Sequence, residues 1–202
     1  MPELAALVGK AAEVAEITRQ GIDGHIVWER GFAMRAKLLA GLRQSEVLRA
    51  ARNLRPIPGA ISFVRRLKEA GAKVALITGG PREVAESAMA MFDADAVYAN
   101  EFIYEDGVFT GEVLLRVNPQ RKGEIVRQLA AKWNAARHEI VALGDGRMDV
   151  PLFSEADIRF GINSNGKLRD HVHLETTDYG EAERWLESIG YLTPKSVPES
   201  AG

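Results

Sequence analysis

The chain has 202 residues, 46% of them apolar and 27% charged, with 26 Lys and Arg against 28 Asp and Glu and a net charge of −2. This is the composition of one globular domain, or of one domain with an inserted subdomain, and it excludes collagen-like, coiled-coil and disordered readings. No apolar run approaches the roughly 18 residues of a membrane span, no basic excess marks a nucleic-acid binder, and no Cys is present for disulfides or thiolate metal sites. A cytoplasmic location fits.

The amino-terminal stretch lacks the positive charge that opens a signal or transit peptide. Leu4, Leu7, Val8, Ala11, Val14 and Ile17 recur at three- and four-residue steps, which predicts an amphipathic helix. The first 55 residues read as helix after helix: Gly21 to Gly24 separates two of them, and residues 27–42 continue as a helix. Residues 13–55 are expected to form a small helical subdomain, with Pro56, Pro58 and Gly59 as the hinge back to the rest.

Residues 73–77 (KVALI), 139–143 (EIVAL) and 158–162 (IRFGI) are short apolar runs bounded by Gly, Ser or Asn, the pattern of buried parallel strands. Residues 96–99 and 172–175 are weaker strand candidates. Amphipathic helices are expected over 60–70, 81–92, 120–133 and 180–189, with Pro81 at a first helical position and Gly71 as a stop. Strands alternating with helices predict an α/β domain around a parallel sheet, made of residues 1–12 and 56–192. Residues 102–117 break the alternation, and Asp106-Gly107 between two apolar runs predicts a β-hairpin. Residues 193–202, Pro- and Ser-rich, are expected to be a flexible tail.

Three elements could carry chemistry. In VALGDGRMDVP a buried strand runs into Gly144-Asp145-Gly146, and Asp149 follows. Two carboxylates beyond the carboxyl end of a parallel strand suit a hard cation such as Mg²⁺; the same residues also suit a turn followed by a helix cap. In LITGGP, Thr78, Gly79 and Gly80 lead from a strand into a helix, so a hydroxyl and free N–H groups could meet one oxyanion, or Thr78 could cap the helix. Lys122, or Arg121 beside it, sits in a first helical turn that the macrodipole disfavours for a cation.

Together these elements resemble motifs two, three and four of the haloacid dehalogenase superfamily, and most closely its phosphoserine phosphatase branch. PELAALVGKAAEVAEIT resembles the helix leading into that branch's cap, WERGFAMRAKLLAGL its cap helix, and YANEFIYEDGVFTGEV its hairpin. The resemblance implies a doubly wound, Rossmann-like α/β core with a helical cap inserted near the amino terminus. It implies a Mg²⁺-dependent phosphomonoester hydrolase of L-serine biosynthesis, acting on a small phosphorylated metabolite, phosphoserine first. Thr78, the Gly79 N–H and Lys122 would hold the phosphoryl oxygens, Asp145 the metal with Asp149 as ligand or orienting partner, and Arg35 the substrate carboxylate. Trp28 and Phe32 could line the cap pocket or belong to the core.

The branch's first motif, strand–Asp-x-Asp-x-Thr/Ser, does not occur before the cap; Asp93-Ala94-Asp95 is the one such spacing and follows the wrong helix. The first Asp of that motif is the nucleophile, so the aspartyl-phosphate step has no residue here to carry it. This leaves open an inactive relative that keeps the phosphate and metal cradle. Met148, where the branch places Asn, and Pro81, where it often has Phe, leave open a phosphatase or phosphotransferase for another metabolite. The first-motif strand would lie between the strands preceding Thr78 and Asp145, so the chain is expected to bring those two strands together or to lose stability.

Overall fold

The structure, a computed structural model, describes residues 1–193; all but the first residue of the expected tail lies outside them. The amino-terminal segment is not one helix but two, α1 (Pro2–Leu7) and α2 (Ala11–Ile22). Gly9 between them has φ 67°, the left-handed region glycine occupies without a Cβ penalty. The break rotates Leu7 into solvent, 46% exposed, while Leu4, Ala5 and Val14 stay buried.

Two more helices follow, α3 (Trp28–Leu38) and α4 (Gln44–Arg52). Helix α3 ends earlier than the hydrophobic period suggests because the backbone finds other partners. Gly41 N–H donates to the Phe109 carbonyl, Phe109 N–H donates to Leu42, and Arg43 bridges Val108. The partner is a hairpin, β2 (Ala96–Glu105) and β3 (Val108–Leu114), joined at Asp106-Gly107 with φ of 48° and 76°. Positive φ at both turn residues is the two-residue turn the Asp-Gly pair predicts. Phe102 and Phe109 stack at 4.1 Å and share one core with Leu4, Val14, Ala36, Leu39 and Val47. The helical segment thus buries its apolar faces on the hairpin.

The rest alternates strand and helix. After α5 (Ala60–Glu69) come β1 (Ala75–Pro81) and α6 (Arg82–Phe92), then the hairpin and α7 (Pro119–Trp133). They are followed by β4 (Val141–Gly144), the single-turn α8 (Val150–Phe153), β5 (Ile158–Ile162), β6 (Leu174–Thr176) and α9 (Tyr179–Ser188). Pro81 is the last residue of β1 and the N-cap of α6 rather than its first helical residue. The expected strand 96–99 and the first arm of the hairpin are one continuous strand. Its first half runs parallel to β1 and its second half antiparallel to β3.

The strands form two three-stranded sheets, β1-β2-β3 and the all-parallel β4-β5-β6. β1 and β4 share no ladder, so of the two expected outcomes, closure of these strands or a loss of stability, closure does not occur. Their side chains do meet in one core region: Ile77 of β1 packs on the cluster that holds Ala142 of β4, Val126 and Leu168. A second cluster, Phe63, Phe160, Ala182 and Leu186, seats α5 and α9 on the β4–β6 sheet. Thr78, just past the regular β1–β2 ladder, and Asp145, just past β4, therefore both lie toward the carboxyl side of parallel strands, where α/β sheets bind their ligands.

Candidate active site

Asp145 follows the last residue of β4, and the turn after it is shaped by Asp149. Asp149 is 7% exposed. Its Oδ2 accepts the N–H of Asp145 at 2.9 Å and of Gly146 at 3.3 Å, while its Oδ1 stands 2.5 Å from Lys122 Nζ. Gly144 is required here, since a Cβ on it would lie 2.5 Å from the Asp149 Cβ. Asp149 does cap a turn, and it also holds the only lysine of the cluster among the described residues.

Lys122 owes its place in the first turn of α7 to this contact. The Asn118 side chain accepts from Arg121 N–H, and Pro119 fits the turn without needing its missing donor. Arg121 points to solvent near Glu124, so Lys122 and not Arg121 meets the carboxylates.

The Asp145 side chain is open to solvent. Its carboxyl is held above the usual range, first by partial desolvation, then by the charge of Asp149, with Lys122 opposing. Lys122 pairs with Asp149 while Asp145 feels its charge without an ion pair, a local excess of negative charge. Among the described residues no three His, Cys, Asp or Glu side chains gather into a cage. Both Asp149 oxygens already have partners, so the Asp145 carboxylate is the open donor that a divalent cation would meet here.

At the end of β1 the Thr78 hydroxyl accepts the N–H of Gly80 at 3.0 Å, which folds the turn back on itself. Thr78 does not cap α6, whose N-cap is Pro81. Trp28 of α3 lies over this turn: a Cβ on Gly79 would stand 3.0 Å from its ring. The same end of α3 reaches α7, with Asn118 Nδ2 donating to Glu29 Oε1 at 3.1 Å. So one helix of the amino-terminal segment touches both the Thr-Gly-Gly turn and the helix carrying Lys122.

Arg35 lies two turns along α3 from Trp28, about 10 Å at 1.5 Å per residue. Trp28 stacks on Phe32 at 5.0 Å, and the Arg35 guanidinium lies over the Phe32 ring at 5.8 Å. Its Nε donates to the Gly31 carbonyl and one Nη to the Thr18 hydroxyl, so the side chain folds back toward the Trp28 end. Arg35 is half-buried, burial works against its charge, and no carboxylate pairs with it among the described residues.

Asp93 and Asp95 lie elsewhere. Lys68 pairs with both, and Asp95 accepts the N–H of Val74, just before β1, at the opposite end of the strand from Thr78. They brace a turn and have no place in the site. Met148 stands exposed in the turn between Asp145 and Asp149 and offers no strong hydrogen-bond partner.

Sequence reading missed Asn100, Asn118 and Glu29. Asn100 alone left a signal: an uncharged polar residue inside the apolar run of a strand, fully buried in the structure.

Comparison with known proteins places this arrangement. Residues 4–154 match the haloacid dehalogenase-like hydrolases, and the chain belongs to that family. Within it the similarity is to phosphatases. The chain is 32% identical over 199 residues to the phosphoserine phosphatase of Idiomarina loihiensis, covering 98% of itself and 88% of that protein. It is 28% identical to the phosphoserine phosphatase of Methanocaldococcus jannaschii, covering 92% of itself and 89% of that protein. It matches 42% of the length of the phosphoserine phosphatase of Streptomyces coelicolor, at 31% identity. Among solved structures, a phospho-aspartyl intermediate analogue of phosphoserine phosphatase superposes with a TM-score of 0.84 at 27% identity, over 91% of this chain and 90% of that one. A substrate-bound phosphoserine phosphatase complex gives the same TM-score and identity, over 91% and 89%.

Proposed function

We propose that this chain forms the phosphate and metal cradle of a Mg²⁺-dependent phosphomonoester hydrolase acting on phosphoserine in the cytoplasm, as part of L-serine biosynthesis. The reaction runs through an aspartyl-phosphate whose nucleophile is not among these 202 residues. The observation that carries the substrate assignment is Arg35. It is a half-buried guanidinium, held over Phe32 and bonded to Gly31 and Thr18, with no carboxylate partner among the described residues. A substrate with a carboxylate a few ångströms from its phosphate would supply that partner in a bidentate pair.

The Thr78 hydroxyl, whose oxygen already accepts from Gly80, keeps its proton to donate to a phosphoryl oxygen. The Gly79 N–H and Lys122 would take the others, where charge must be stabilised during transfer. Asp149 positions Lys122 and fixes the backbone of Asp145 and Gly146, which aims the Asp145 carboxylate. Asp145 would hold Mg²⁺, with Asp149 beside it as orienting partner or ligand. Mg²⁺, when bound, offsets the repulsion between a carboxylate nucleophile and a phosphate dianion. Residues 13–55 act in this reading as a cap over an α/β core of residues 1–12 and 56–192.

The test is a panel of phosphomonoesters offered to the chain completed by an added strand bearing Asp-x-Asp-x-Thr. Phosphoserine is expected to have the highest kcat/KM. A neutral or purely cationic phosphomonoester preferred over phosphoserine would overturn the assignment.

A further inference from the structure

We infer that Asn100 is the positioning residue that sets the distance between the two halves of the phosphate cradle, the Thr78–Gly80 turn and the helix bearing Lys122. This rests on the phosphate-binding reading above.

The parallel ladder of β1 and β2 is regular from Ala75 opposite Ala96 to Ile77 opposite Tyr98. It resumes with Pro81 opposite Asn100. Three residues of β1, Thr78 to Gly80, thus stand against the single Ala99 of β2. The extra residues bulge out of the sheet and forfeit their ladder partners. A carbonyl freed in this way under a covering Trp28 needs another donor.

Asn100 supplies it. The side chain is 0% exposed, and its Nδ2 donates to the Gly79 carbonyl at 3.0 Å. The same amide reaches the segment on its other side. Nδ2 also donates to the Val117 carbonyl at 2.9 Å, and Oδ1 accepts from Arg116 N–H at 2.7 Å and Val117 N–H at 2.8 Å. The amide's two donors and two acceptor sites are all used. Val117 is itself fully buried and is followed at once by Asn118, the N-cap of α7, with Lys122 one turn on.

No other side chain among the described residues hydrogen-bonds to both segments. The backbone ladder between β1 and β2 lapses from Thr78 to Gly80 before it resumes at Pro81, and β3 ends at Leu114 before Arg116 and Val117. Asn100 therefore replaces the ladder on both flanks of β2. Its side chain, at the point where the ladder lapses, fixes how far the Gly79 peptide stands from the start of α7. Asp cannot do the same, since a carboxylate accepts but does not donate, and Ala does neither.

The test uses the 202-residue chain and reads amide hydrogen exchange and affinity for inorganic phosphate with Mg²⁺. Asn100→Ala is expected to speed exchange in both 78–80 and 116–122. Asn100→Asp keeps the shape and the two accepted bonds but loses both donated ones, so it is expected to loosen 78–80, which has no other bond to this side chain, more than 116–122. Both are expected to weaken phosphate binding about tenfold or more, the usual effect of losing a group that orients ligand-binding residues. Ile158→Val, a one-methylene truncation in the core under the other sheet, is the control; it is expected to lower the melting temperature slightly and keep phosphate affinity within about twofold of wild type, since distant independent sites do not couple. If Asn100→Ala does not fold, Asn100→Asp decides. Wild-type affinity in the Asn100 variants, or an equal loss in the control, overturns the inference alone. No phosphate binding by the wild-type chain overturns the phosphate reading, and the inference with it.

Discussion

Lys122 Nζ stands 2.5 Å from Asp149 Oδ1, while the other oxygen of that carboxylate accepts the backbone N–H groups of Asp145 and Gly146. The two residues are unequal partners. Removing Asp149 strands a nearly buried ammonium and two N–H groups. Removing Lys122 leaves Asp149 still satisfied by two donors. Asp149→Ala is therefore expected to cost about 3–5 kcal/mol, as for breaking a buried pair from the side that leaves the charge. Lys122→Met is expected to cost less, about 1–3 kcal/mol. Urea unfolding of both variants checks the order.

Gly144 and Gly146 make a paired test of the same turn. A Cβ at Gly144 collides with Asp149, and nothing lies within 4 Å of one at Gly146, whose φ of −162° any residue adopts. Gly144→Ala is expected to cost about 1–3 kcal/mol through overpacking and to weaken phosphate binding. Gly146→Ala is expected to stay within about 0.5 kcal/mol. Thermal unfolding and phosphate titration of each read this out.

Asp145 sets a pH dependence. Its carboxyl is raised, first by desolvation and then by Asp149, so the folded chain binds that proton more tightly than the unfolded chain. The stability this contributes is full below the ordinary carboxylate range and is lost as pH rises through the raised value. At neutral pH the charged group is a liability without a cation. Asp145→Asn is expected to raise stability there slightly, by about 0–1 kcal/mol given its exposure. It is also expected to abolish the rise in melting temperature that Mg²⁺ gives the wild type. Melting curves at pH 4.5 and 7.5, with and without Mg²⁺, measure both effects; an undiminished Mg²⁺ shift in the variant would remove Asp145 as a ligand.

Arg35→Ala is expected to lower kcat/KM of the strand-completed chain for phosphoserine roughly tenfold to over a hundredfold, from about 1.5–3 kcal/mol for a charge-assisted bond. A neutral aryl phosphate should be affected little. An equal loss on both substrates would take the carboxylate role from Arg35.

What the sequence discloses here follows from what is local. Residues 158–162 are a strand as read, because a buried parallel strand is a continuous apolar run. Asp106-Gly107 announces its own turn. The merging of residues 96–99 with the hairpin is not local: β2 changes from a parallel to an antiparallel neighbour midway, and nothing in its side-chain pattern marks the switch. Helix α3 stops at Leu38 because residues 41–43 pair with a hairpin more than 60 positions away, which no helical period records. Within the site, the strand ends locate Thr78 and Asp145. Choosing Lys122 over Arg121 takes the position of Asp149, and Asn100 gains meaning only from the bulge opposite it.

In the proposed reaction these residues form the phosphate and metal cradle, and a separate strand carries the nucleophile. β1 and β4 end their sheets without a ladder between them. Unsatisfied strand groups cost about 1–3 kcal/mol each where buried, against a domain stability of about 5–15 kcal/mol. A strand bearing Asp-x-Asp-x-Thr, inserted between those two edges, would satisfy the ladder and supply the nucleophile together. The direct measurement is phosphoserine hydrolysis with Mg²⁺, alongside the melting transition, for the 202-residue chain and for the same chain with that strand added at its amino terminus. The expectation is no turnover and a broad, low-temperature melt for the first, and turnover with a sharper, higher melt for the second. Mg²⁺-dependent turnover together with a sharp melt from the 202 residues alone would contradict it, and would mean that a residue within this chain is the nucleophile.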